Sequence, residues 1–170
     1  MANPKRNPLY GQNKADSAIQ DGKCSVIVAG DDITLTAAQT GSTVFMNNAA
    51  ATVQLPAASP GLNYKVILGI DTTAGADILA KAGDAFFGLI RLYSDTVDQT
   101  GVPQQISHAT AIGTVASYDT MDFVADTATI GGMAGDIISM IAVDETAWHV
   151  TADLTTTAND PGTVAVIVAS

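Results

Sequence analysis

A chain of 170 residues is long enough for one domain with a true core and too short for two full ones. Apolar residues make up 47% but aromatics only 5%; Ala, Val and Ile carry the hydrophobicity, Thr and Asp are abundant and Glu145 is the sole glutamate, a composition that disfavours solvent-facing helices and favours strands. The net charge of −10 is unevenly spread: residues 1–23 hold Lys5, Arg6, Lys14 and Lys23 against Asp16 and Asp21, or 4 − 2 = +2, and the remainder holds 3 − 15 = −12, a body that repels nucleic acid and anionic membranes.

Residues 1–23 carry Pro4, Pro8, Gly11 and Gly22 among scattered polar groups, which predicts an extended arm without a core of its own. The start has charges and prolines where a signal peptide needs an apolar stretch, and no window approaches ~18 consecutive apolar residues. Neither secretion by that route nor a membrane span is expected. Cys24, the only cysteine, has no partner for an internal disulfide and reads as a small buried hydrophobe.

From residue 24 onward short β-branched runs alternate with turn residues. The predicted strands are 25–29, 33–36, 43–47, 52–55, 63–70, 78–81, 85–93, 102–107, 112–116, 121–125, 136–143, 147–151 and 163–168, with a weak helical alternative over 74–82. Within them, Val53 and Leu55 alternate with polar neighbours before Pro56, which has no N–H to give a ladder. Residues 137–143 and 148–150 flank Asp144, Glu145 and Thr146, the pattern of a short-loop hairpin. Trp148 is the expected core anchor there, its indole N–H satisfied at a strand end. Gly30-Asp31, Gly41-Ser42, Gly83-Asp84 and Gly135-Asp136 each precede an apolar run, so Gly supplies a positive φ and Asp bonds its local backbone at a tight turn. No sequence repeat is evident. The whole predicts an all-β fold: a β-sandwich body at 24–170, jelly-roll-like, or a small barrel, behind the arm at 1–23.

Catalytic machinery is not legible. His108 and His149 are the only histidines; His149 lies in a predicted strand on the face opposite Trp148 and Val150, and His108 ends another. Asp95 with Asp98, Asp119 with Asp122, and Asp31 with Asp32 are the closest carboxylates, placed where turn chemistry expects Asp, and no calcium-loop motif accompanies them. The run Gly131-Gly132-Met133-Ala134-Gly135 lacks the Lys-Ser/Thr of a phosphate loop and reads as a flexible turn. Cys and His are too few for zinc, and beyond the arm only Lys65, Lys81 and Arg91 are basic. A non-enzyme without cofactors or metals is expected.

Two stretches, TVQLPAASPGLNYKVIL at 52–68 and GDIISMIAVDETAWHV at 135–150, resemble a pattern found in tailed-phage virion proteins. It consists of a strand ending in Leu-Pro, a Gly-x-x-Tyr-Lys/Arg strand, and a late Gly-Asp strand paired with a Thr-x-Trp-x-Val strand. It occurs in head decoration (cement) proteins and in some tail or fibre domains, and the likeness spans residues 43–151. The resemblance implies a small β-sandwich, often trimeric, seated where major capsid proteins meet on the outside of a virion; it implies no catalytic residues. The expected function is capsid decoration, with the arm residues Lys5, Arg6, Leu9, Tyr10 and Lys14 as capsid-binding contacts. The alternative is a tail spike, fibre or carbohydrate-binding module, for which one Trp and four Tyr offer few stacking platforms.

Overall fold

The computed structural model describes residues 25–73, 76–97, 103–108, 119–123, 131–156 and 167–168. The arm, Cys24 and the predicted strand at 112–116 lie outside these residues. Twelve strands are described: β1 (Val26–Ala29), β2 (Ile33–Thr34), β3 (Thr43–Met46), β4 (Thr52–Gln54), β5 (Asn63–Leu68), β6 (Ala76–Leu79), β7 (Ala85–Val97), β8 (Pro103–His108), β9 (Thr120–Phe123), β10 (Ile137–Ala142), β11 (Ala147–Thr156) and β12 (Ile167–Val168). The one helical element among them is a 3-10 turn at Ala37–Gln39, closed where Gln39 Oε1 accepts the Thr36 backbone N–H at 2.8 Å.

The all-β expectation therefore holds. The helical alternative over 74–82 does not, because residues 76–79 form β6, wedged between β4 and β9, and its alternate residues Ala76 and Ile78 are fully buried. Pairing with two neighbours outweighs the helix propensity of an Ala-rich segment.

Seven strands form one mixed sheet in the order β1, β3, β5, β10, β11, β7, β8, and five form another in the order β12, β9, β6, β4, β2. The described strands close no barrel: the strand at each end of either sheet has one neighbour among the described residues. From β1 to β6 the chain alternates between the sheets, so that β1, β3 and β5 run parallel in one while β2, β4 and β6 run parallel in the other. Later pairings are mostly antiparallel: β8 on β7 and the β10–β11 hairpin in the larger sheet, β9 on β6 and β12 on β9 in the smaller; the hairpin slots between β5 and β7 and leaves β11 parallel to β7. The winding steps between paired residues are 43 − 26 = 17 and 65 − 43 = 22 in the larger sheet, and 53 − 33 = 20 and 78 − 53 = 25 in the smaller.

One buried cluster takes side chains from both sheets: Val44, Met46, Tyr64, Val66, Ile138, Met140, Trp148 and Val150 from the larger, Val53, Ile78, Met121 and Phe123 from the smaller. Trp148 and Phe86, opposite each other in the β11–β7 ladder, are its largest fully buried side chains, each worth about 1.5–3 kcal/mol against exposure. Tyr64 tilts against Trp148 with ring centroids 5.9 Å apart and donates its hydroxyl to the Thr36 carbonyl at 2.8 Å. Trp148 is the expected anchor, but its indole N–H is not satisfied as expected: buried against Tyr64, Nε1 has no acceptor among the described residues.

Candidate functional site

With the core row of each strand fixed, the alternate residues form the outer faces. On the larger sheet, Val28 on β1 is level with Phe45 on β3, Ile67 on β5 and Ile137 on β10, an apolar row crossing four strands. Val28 is 62% exposed and Ile137 40%. The row stops at Asp153 on β11 and Arg91 on β7, which form an ion pair of 2.6 Å, with the Tyr93 hydroxyl donated to the same carboxylate at 3.4 Å. A second group, the apolar Ile141 and Phe87 with His149 between them, lies level across β10, β11 and β7. The His149 ring meets Phe87 edge-on, with centroids 5.3 Å apart. Between the two groups run Thr43, Lys65, Ser139 and Thr151, flanked by Val26 and Leu89. Asp153 is thus the one acid on this stretch of the face, and Arg91 neutralises it.

The outer face of the smaller sheet has the opposite character. Thr52, Asp77 and Asp122 are level across β4, β6 and β9, and Asp32 accepts the Thr52 backbone N–H at 2.8 Å. Burial, and then the charges of Asp122 and Asp32, hold the Asp77 carboxyl above the usual range. Among the described residues no group of three or more His, Cys, Asp or Glu converges as a metal ion would require.

The remaining acidic candidates serve the backbone, as turn chemistry predicts, with a longer reach than expected. Asp84 accepts the Ala58 N–H at 2.7 Å, and Asp136 accepts those of Met133 at 3.0 Å and Thr155 at 2.9 Å. Both carboxylates are buried, so they fasten distant segments rather than only their own turns. The turn itself uses Gly135 at φ 100, whereas Gly30 has no positive φ, so that pair departs from the predicted pattern. The glycine run beginning at Gly131 is stitched rather than loose: the Gly132 carbonyl accepts both the N–H and the hydroxyl of Thr72. Asp119 accepts the Thr120 hydroxyl at 3.2 Å, and Asp95 lies within β7 while Asp98 is outside the described residues.

His149 faces away from the core, opposite Trp148 and Val150, as its position in the strand predicts. His108 closes β8, level with Ile90. The arm residues Lys5, Arg6, Leu9, Tyr10 and Lys14 lie outside the described residues. What sequence reasoning passed over is the apolar outer face, although β10 and its end, IISMIAV, carry a signal for it: a run apolar on both faces marks a strand covered on both sides.

No family model, curated protein or solved structure matches this chain. No helix among the described residues is long and apolar enough to cross a membrane.

Proposed function

We propose that this chain is a structural protein of a virion that binds the outside of a phage capsid and stabilises the assembled shell. The observation that supports this reading is the unequal polarity of the outer faces: an apolar row, Val28, Phe45, Ile67 and Ile137, on the larger sheet, and the carboxylates of Asp32, Asp77 and Asp122 on the smaller. With a net charge of −10, the molecule approaches another protein at least cost through its acid-poor face. Contiguous exposed apolar surface marks such contacts. In this reading the two sheets pack as a sandwich, the larger sheet lies on the major capsid protein and the acidic sheet faces water.

A protein that binds the assembled shell and not its separated subunits opposes disassembly by mass action. The basic arm at 1–23 extends the contact over neighbouring capsid subunits, with Leu9 and Tyr10 as apolar anchors and Lys5, Arg6 and Lys14 as charge partners. The role needs no catalytic step and no cofactor. Antibody labelling of the chain on purified particles tests it: label distributed over the head is the expected result, and label confined to the tail would overturn the capsid role.

A further inference from the structure

Lys65 stands inside the outer face of the larger sheet and not on its rim, because its strand, β5, is the third of seven. Thr43 on β3 and Ser139 on β10 are level with it, and Asn63 and Ile67 flank it along β5. Phe45, Ile137 and Ile141 take the diagonal positions on the neighbouring strands. Val26, 62% exposed, continues the same row on β1. An exposed cation is thus set among apolar side chains.

No group of the chain answers that charge. Across β1, β3, β5, β10 and β11 the outward positions hold one lysine, Lys65, and one acid, Asp153, and Asp153 is held by Arg91 on β7 at 2.6 Å. Lys65 itself has no ion-pair or hydrogen-bond partner among the described residues. Lys81, the remaining base among them, follows β6 in the smaller sheet.

Whatever covers this face must supply the missing anion. A wholly apolar surface laid over β5 would strip water from the ammonium and give nothing in return, a cost that offsets what the surrounding isoleucines gain. A nucleic acid would offer Lys65 one phosphate and bring a row of others against a chain of net charge −10. A protein surface with one carboxylate among apolar groups satisfies both parts of the face. The apolar contacts exclude water, and the ion pair strengthens as the local dielectric falls. We infer that the outer face of the larger sheet docks on a protein surface whose central group is an aspartate or glutamate carboxylate, paired with Lys65 inside a ring of apolar contacts. The inference rests on the capsid reading, in which that carboxylate belongs to the assembled shell.

Equilibrium binding of the labelled full chain to undecorated particles tests it through a charge series at one position. Lys65→Arg keeps the charge and should bind within about threefold of the parent. Lys65→Gln should bind about tenfold more weakly, because it leaves the partner's carboxylate buried and unpaired, and Lys65→Glu, which sets two carboxylates together, about a further tenfold. The position is exposed, so all three variants should keep the parent's circular dichroism spectrum. A Gln variant as tight as the parent, or a Glu variant as tight as the Gln one, would overturn the inference and leave the capsid reading standing. A parent chain that does not bind particles would sink both. Sedimentation equilibrium checks the other occupant of the face: Lys65→Glu should leave the parent's oligomeric state unchanged, and a variant that abolishes self-association would assign the face to a second copy of the chain and overturn the inference.

Discussion

Asp77 and Asp122 stand directly opposite each other on β6 and β9, two carboxylates on one face of an antiparallel pair. Like charges in that position are destabilising by several tenths of a kcal/mol, and the Asp77 carboxyl is held above its usual range by burial first and by Asp122 next. Replacing Asp122 by Asn keeps the shape and removes the repulsion. The expected outcome is a gain of about 0.5 kcal/mol in urea unfolding at neutral pH, shrinking as salt is added. A loss of stability at low salt would contradict it.

A close backbone approach sets the second prediction. Gly88 on β7 is level with Val150 on β11 at φ 144, and a methyl group there would overlap the Val150 carbonyl oxygen. Gly88→Ala combines a backbone conformation costing about 1–3 kcal/mol with displacement of a central parallel ladder. A loss of at least ~2 kcal/mol is expected in chemical denaturation. Gly30→Ala is the control: a methyl group at Gly30 meets nothing within 4 Å and the backbone is not left-handed, so little change is expected. Equal effects at the two glycines would refute the account.

The third prediction separates the two faces. Ile67 and Ile137 point outward on β5 and β10, so Ile67→Lys and Ile137→Lys leave the core untouched. Under the proposed capsid role each should weaken binding to undecorated particles by at least tenfold, or about 1.4 kcal/mol, while Asp77→Asn on the acidic face should not. Saturation of particles at unchanged concentration by the lysine variants, with loss in the aspartate variant, would assign the contact to the other sheet.

Much of the strand content was legible because it is local. Alternation around Val53, the Leu-Pro stop at Pro56 and the three-residue gap between Val143 and Ala147 each carry their structure within a few residues. The winding between sheets was not legible, because β2 and β4 are only two and three residues long and their pairing depends on steps of 20 and 25 residues with no repeated motif. Asp84 and Asp136 were recognised as turn residues, yet their partners at Ala58 and Thr155 are set by tertiary packing, which no local pattern encodes. The Trp148 indole, which has no acceptor among the described residues, has the same origin: the tryptophan's place in the core follows from its size, and what its N–H meets follows from the neighbours that the two sheets bring to it. On the outer face, the apolar row exists only because β1, β3, β5 and β10 are adjacent, an order the chain sequence does not display.

The last prediction concerns pH and rests on Asp136. Its side chain is buried where the turn at Gly135 meets β11, and it accepts backbone N–H groups from Met133 and Thr155. Burial raises the carboxyl from 3.8 to about 6, and the hydrogen bonds from Thr155, Met133 and Gly132 pull the other way without cancelling that effect. Between these two values the folded protein holds a proton that the unfolded chain has released, so stability falls as pH rises. The contribution is fully present below about 3.8 and lost by the time pH has passed through about 6. A difference of that size corresponds to roughly 1–3 kcal/mol at most. Asp136→Asn keeps an acceptor for one of the N–H groups and is neutral at every pH, as the protonated carboxyl is, so its stability relative to the parent should rise as pH increases and its own dependence on pH between 4 and 7 should be flatter. Urea midpoints across that range are the measurement. A parent protein whose stability rises with pH there, or an Asn variant with the same slope as the parent, would show that Asp136 does not govern the acid response.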